Sequence, residues 1–168
     1  MTTRPGTAKQ AVMSQMLPHL RRAGPSDAAA IAALTEAAYS KWVPVVGRKP
    51  LPMLVDYDIA VVDHRIDLME REGALVALIE MAPDDDHLLI VNLAVAPDAQ
   101  RQGVGTLLLA HAERVARQLG VGELRLFTNS LMKSNVALYQ RNGYRITEIE
   151  PRAAGWGVVH MAKPVTPP

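Results

Sequence analysis

Gln100, Gly103 and Gly105 stand in the segment VAPDAQRQGVGTLLLAHAERVARQLG, between an apolar run and a long amphipathic pattern. Glycines this close to a helix start either form a plain turn or let backbone N–H groups approach a ligand. The amides from about Gln102 to Thr106 converge at the helix N-terminus. Free N–H groups and the helix dipole favour a phosphate or pyrophosphate there. A P-loop would need a Lys after the glycines, and none follows. A dinucleotide fingerprint would need a third glycine where Leu108 stands on the apolar face. Downstream, in NSLMKSNVALYQRNGY, Asn135 and Tyr139 are four apart and share one face of a short helix.

The elements that must hold these groups follow from periodicity and punctuation. Ser26 or Asp27 can cap a helix whose Ile31, Leu34 and Ala38 fall on one face. VPVVGRKPLP reads as a loop, and Pro52 can open a second helix with Met53, Tyr57, Ala60 and Val61 on one side. HRIDLME is a strand, Glu72-Gly73 a hairpin turn, and ALVALIEM and HLLIVNLAV are buried strands. Val104, Leu107, Leu108, His111, Val115 and Leu119 then repeat at helical spacing as far as Gly120, a C-cap glycine. ELRLFTN is a strand. Ser134 can cap the helix NVALYQRN, which Gly143 ends, and YRITEIE and WGVVHMA close the chain as strands. The strand–helix–strand step suggests a parallel pair inside an otherwise antiparallel sheet. An α/β domain with helices on both faces follows.

Bulk properties narrow the function. The 168 residues suit one domain, expected over 19–163, with a flexible tail over 1–18 and frayed residues 164–168. No apolar run approaches a membrane span, and the first residues lack the apolar core of a signal peptide, which argues for a cytoplasmic protein. With no cysteine, thiolate nucleophiles and Cys-based metal sites are excluded. The formal charge is +1 with no basic stripe, so nucleic acid is not the expected partner. The five histidines show no metal-ligand spacing, and PDDDH at 83–87 reads as a solvated turn.

Taken together, LAVAP, Q-x-x-G-x-G, a strand, N-x-x-x-Y and NGY at these spacings resemble the GNAT superfamily of acyl-CoA-dependent N-acetyltransferases. The resemblance is best over 88–145 and runs more loosely from about 19 to 163, where LRRAGPSDAAAIAAL looks like the usual first strand and helix. It implies a mixed sheet of about six to seven mostly antiparallel strands, with a central parallel pair splayed around acetyl-CoA. Gln100, Arg101, Gln102, Gly103, Val104, Gly105 and Thr106 match the loop that wraps the coenzyme A pyrophosphate. Leu93, Ala94 and Val95 match the strand that pairs with pantetheine. Asn135 matches a cofactor contact, and Tyr139 the general acid that protonates the departing thiolate. Ala77 stands where a glycine often sits in the central strand, which narrows the space there. Lacking cysteine, the chain has no Cys-acyl route, and direct acetyl transfer to a primary amine of a small molecule or peptide N-terminus is the simplest one left.

The remaining site expectations are weaker. Glu80 can reach the cleft as a base, or pair with a neighbouring strand. Asn92 can orient the acceptor, or make a buried hydrogen bond. Trp42, Arg48, Met53 and Tyr57, in the stretch between the first helices, can form an acceptor wall or anchor a loop. Arg48 would suit a carboxylate or phosphate, and Trp42 or Tyr57 an apolar or cationic body. His160 reads as a sheet-face histidine. Exposed strand edges leave a homodimer open. The alternative function is a non-catalytic acyl-CoA-binding sensor or interaction module of the same fold.

Overall fold

The computed structural model describes residues 19–166. The tail expected over 1–18 lies outside them. The elements, in chain order, begin with β1 (His19–Arg22), α1 (Ala28–Tyr39), α2 (Val43–Val46) and α3 (Tyr57–Asp63). They continue with β2 (Arg65–Arg71), β3 (Ala74–Pro83), β4 (His87–Val95), α4 (Val104–Leu119) and β5 (Glu123–Asn129). The chain ends in α5 (Lys133–Arg141), β6 (Arg145–Pro151) and β7 (Gly157–Pro164). Seven strands form one sheet in the order β1-β2-β3-β4-β5-β7-β6. Every neighbouring pair is antiparallel except β4 and β5, which run parallel.

Two cores sandwich the sheet. On one side α1 and α3 lay Ile31, Leu34, Tyr57 and Ala60 against Ile66, Leu68, Leu78 and Ala94. On the other, α4 lays Val104, Leu108, Ala112 and Val115 against Ile79, Leu88, Ile90 and Leu124, with Tyr139 of α5 alongside. The hydrophobic periodicity read from the sequence is largely a packing pattern on α1, α3 and α4, but Leu107 and Leu119, expected on the buried face of α4, are 49% and 47% exposed, and Leu109, Ala112 and Ala116 are buried there instead.

Local details depart from the sequence expectations. The second helix starts at Tyr57, because Asp56 caps it by accepting from Asp58 N–H at 3.0 Å. Pro52 instead sits in a 3₁₀ turn, Leu51–Leu54. VPVV is not loop but the single helical turn α2, ended by Gly47 in the left-handed region. Asp27 makes no side-chain cap to α1. Its carboxylate accepts from Gly24 N–H and pairs with Arg21, and these bonds hold it at a pKa of about 2. Ser134 does not cap α5, which begins at Lys133 after Met132. Of residues 164–168, expected to fray, Pro164 ends β7 and buried Val165 donates its N–H to Gly122 O at 2.8 Å, while 167–168 lie outside the described residues.

One irregularity shapes everything that follows. In the β3–β4 ladder Glu80 faces Asn92 while Met81 faces Ile90, leaving Val91 as an extra residue on β4. A bulge of one residue swaps the faces of all later side chains. Leu88 and Ile90 accordingly point to the α4 core, whereas Ala94 points to the α1 core. Parallel pairing with β5 stops at the same place, since the last partners are Ile90 and Leu126. Beyond it β4 stays with β3 to Val95, while β5 stays with β7 to Asn129. The sheet splits into a V.

Candidate active site

The V opens into two joined clefts. The smaller, about 390 Å³, is bounded by the glycine loop and the start of α4 on one side and by Ser134, Asn135, Leu138 and Arg141 of α5 on the other. The larger, about 670 Å³, runs over the far end of β5 to β7 and the 46–55 segment. Tyr39, Leu93 and Asn135 line both and form the waist between them.

The glycine loop is built for close approach. Gly103, the residue before α4, has φ +78°, a conformation disfavoured for L-residues. Gly105 is favoured by proximity: a Cβ there would stand 3.1 Å from Leu138 Cδ2, so the end of the leucine would have to give way. It lets α4 and α5 close on each other beside Leu93. The first helical bond of α4 is Leu107 N–H to Gly103 O, so the amides of Val104, Gly105 and Thr106 precede it and have no intrahelical acceptor. Side chains pin the loop. Gln100 Nε2 donates to Val95 O at 2.9 Å, and Lys41 Nζ donates to Gln100 Oε1 at 2.6 Å. Gln102 donates to Asp98 O and accepts from Arg71. Arg101, at φ +61°, also lines the cleft.

At the waist and beyond lie the titratable groups. Tyr139 is 7% exposed, lines the larger cleft, and makes no side-chain hydrogen bond among the described residues. Burial alone pushes its phenol up to about 12. Its ring meets Tyr144 edge-on at 5.9 Å. Glu80, 1% exposed, faces the same cleft from β3. One carboxyl oxygen contacts His64 Nδ1 at 2.6 Å, and the other has no partner. His64, at the end of α3, reaches solvent.

The placement of the other expected residues divides sharply. Arg48 lines the larger cleft and lies over the Trp156 ring, 4.9 Å from its centroid. Trp42 lines the smaller cleft instead, with Lys41 over its ring at 5.2 Å, so it is not part of the expected acceptor wall. Tyr57 and Met53 line neither cleft. Tyr57 is buried; its hydroxyl donates to Pro52 O at 2.8 Å and accepts from Asn92 at 3.1 Å. Asn92 also accepts from the Tyr39 hydroxyl at 2.9 Å, so its side chain is committed to a buried network at the edge of the cleft. Leu93 and Val95 face the clefts, but Ala94 lines neither, its side chain lying in the α1 core.

Sequence reasoning missed Tyr39, whose hydroxyl also reaches Leu93 O at 3.2 Å, and the far wall of Phe127, Arg152, Trp156 and His160. His160, read as a sheet-face residue, lines the cleft and contacts Glu150 at 3.5 Å. Only the position of Tyr39, one turn past the Thr35 stripe on the last turn of α1, hinted at an inward tyrosine.

A parallel pair that splays beside a glycine-opened helix is the arrangement the sequence resemblance implies. The sequence model of the Acetyltransferase (GNAT) family matches residues 31–144. The chain belongs to this family. Among curated relatives, N-acetyltransferase family 8 member 3 of Rattus norvegicus is 31% identical over 84 residues, 46% of this chain and 37% of that protein. The chain thus spans well under two thirds of that relative's length. Two solved structures share the fold. PaiA N-acetyltransferase from Thermoplasma acidophilum, in complex with coenzyme A, superposes with a TM-score of 0.73 at 16% identity, covering 89% of this chain and 99% of that one. The ribosomal-protein-S18-alanine N-acetyltransferase from Escherichia coli superposes at 0.69 with 20% identity, covering 89% and 95%. Acetyl-CoA is the family's cofactor. No helix among the described residues is long and apolar enough to cross a membrane.

Proposed function

We propose that this GNAT acetyltransferase is an N-acetyltransferase, moving an acetyl group from acetyl-CoA to a primary amine by direct transfer in a ternary complex. The observation that carries the reading is the continuity of the two clefts: the glycine loop and Tyr139 with Glu80 open onto one crevice through a shared waist.

The residues fit the cofactor. The Val104, Gly105 and Thr106 amides suit a pyrophosphate, and Lys41, Arg101 and Arg141 add positive charge around them. Gly105 leaves room where any side chain would push Leu138. The β4 edge beyond Ile90, unpaired toward β5, offers main-chain groups to an extended amide-bearing arm. Asn135 sits at the waist, beside Leu93. When bound, acetyl-CoA supplies the acetyl group as a thioester.

The chain's own groups then handle protons. Tyr139, at about 12, keeps its proton at neutral pH. Full transfer to a thiolate of ordinary basicity, near 8.5, is uphill by roughly three to four pH units. Tyr139 therefore acts chiefly as a hydrogen-bond donor toward charge developing on the departing sulfur. Glu80, which lines the cleft and has one buried oxygen without a partner, accepts the acceptor amine's proton directly or through one water. His64, touching Glu80 at 2.6 Å and open to solvent, gives that proton a way out.

The test is calorimetric titration with acetyl-CoA followed by a thiol-release assay over a panel of primary amines. Micromolar binding with amine-dependent thiol release supports the reading. Binding with no release from any amine would leave a non-catalytic acyl-CoA module, and no binding would sink both.

A further inference from the structure

The larger cleft carries unlike charges at its two ends. Its floor holds Glu80, buried and with one oxygen unpartnered, and Tyr139 lines the same cleft. Its rim holds Arg48, exposed, over the indole of Trp156. Among the described residues Arg48 forms no ion pair, although its neighbour Lys49 pairs with Glu36 and nearby Arg152 pairs with Glu150 at 2.5 Å. A guanidinium resting on an aromatic face keeps its in-plane N–H groups available, in the fork that matches a carboxylate. The lining also holds open apolar side chains: Leu51 and Leu54 are each 65% exposed and Phe127 is 44% exposed, with Val55 and Val158 beside them, while the other charged groups of the cleft, Glu150 and Arg152, pair with each other and His160 contacts Glu150. Large side chains left this open on a concave surface are suited to the body of a ligand.

We infer that the acceptor is an amine whose far end is a carboxylate, the two separated by an apolar spacer such as an aromatic ring, with the amine at Glu80 and the carboxylate at Arg48. The inference rests on the N-acetyltransferase reading. It excludes two simpler acceptors. An α-amino acid carries both charges on one carbon and cannot reach both ends. A diamine would bring a second cation against Arg48. Arg48 is a specificity residue here: it touches the part of the acceptor that does not react.

The test compares 4-(aminomethyl)benzoate with benzylamine, which lacks only the carboxylate, and with 4-(aminomethyl)benzylamine, which reverses the distal charge. Each is titrated into the protein saturated with coenzyme A, and each is assayed for thiol release from acetyl-CoA. A charge-assisted, partly desolvated pair predicts about 10–100-fold tighter binding of the benzoate. Arg48→Met should collapse that preference to near unity, and Arg48→Lys should restore part of it. Equal binding of the three probes, preference for the diamine, or an unchanged ratio in Arg48→Met overturns the inference. If the benzoate binds in an Arg48-dependent way yet no amine releases thiol, the anion subsite stands and the N-acetyltransferase reading falls. If benzylamine and the benzoate release thiol with equal kcat/KM, that reading stands and the subsite falls.

Discussion

Replacing Tyr139 by Phe removes one oxygen and little else. The ring keeps its place in the α4-side core and its edge contact with Tyr144 at 5.9 Å. No protein hydrogen bond is broken, because the hydroxyl makes none among the described residues. A deletion that orphans no partner should change stability by less than about 1 kcal/mol at pH 7. Turnover should behave differently. A donor aimed at developing charge is worth about 10²–10³-fold, or roughly 3–4 kcal/mol in the barrier. The alkaline limb gives a second readout. The folded phenol titrates at about 12 against an ordinary value of 10, because burial disfavours the phenolate. A raised folded pKa means this stabilisation is fully present below pH 10 and is lost as the pH rises through 12. The difference corresponds to about 2–3 kcal/mol. Phe does not titrate, so the variant should keep more stability than wild type at pH 11 to 12, while Tyr39 and Tyr144, also raised by burial, still contribute to alkaline unfolding. The assay is urea unfolding at pH 7 and pH 11 alongside steady-state thiol release and acetyl-CoA titration. A variant with wild-type kcat, or one that loses cofactor binding together with more than about 2 kcal/mol of stability, would show that the tyrosine is a packing residue and refute the reasoning.

Other substitutions probe the remaining parts. Glu80→Gln, nearly isosteric, should leave acetyl-CoA affinity close to wild type while lowering kcat by about 10²–10³-fold at neutral pH; an unchanged pH–rate profile would remove Glu80 from the proton path. Gly105→Val should push Leu138 and displace α5, costing about 1–3 kcal/mol through overpacking and weakening cofactor binding by titration. Gly103→Ala meets open space, so its cost is only left-handed strain, about 1–2 kcal/mol in thermal unfolding. Asp67 is buried on β2; burial pushes its pKa up, but His111 at 2.6 Å and Arg65 at 2.8 Å outweigh that and hold it below the ordinary 3.8. Its contribution is present above that ordinary value and lost as pH falls through the lower folded one. Asp67→Asn should therefore destabilise at pH 7 by about 1–3 kcal/mol and flatten the acid limb of the stability profile; parallel acid limbs would contradict the assignment.

Much of the fold was legible because its signals are local. The glycine loop, the α4 stripe from Val104 to Val115 and the α5 pair Asn135 and Tyr139 are set by spacing along one segment. The parallel step from β4 to β5 followed from an intervening helix. The starts of α3 and α5 were misread where two local signals compete: Asp56 outbids Pro52 as a helix start, and Ser134 lies just inside a helix it does not cap.

The sequence by itself determined the family resemblance, the glycine loop at the start of α4 and the two central strands, since each depends on residues close enough in the chain to be read as a pattern. Tertiary structure alone decided which groups share the cleft. The Val91 bulge is invisible in LLIVNLAV, yet it reverses every later side chain and ties Asn92 into the Tyr39–Tyr57 network at the wall of the larger cleft. Trp42 and Trp156 are alike as residues, but chain path puts the first beside the glycine loop and the second under Arg48. Pairing across a sheet is a contact between distant segments, and its register, not composition, fixes which face a residue presents.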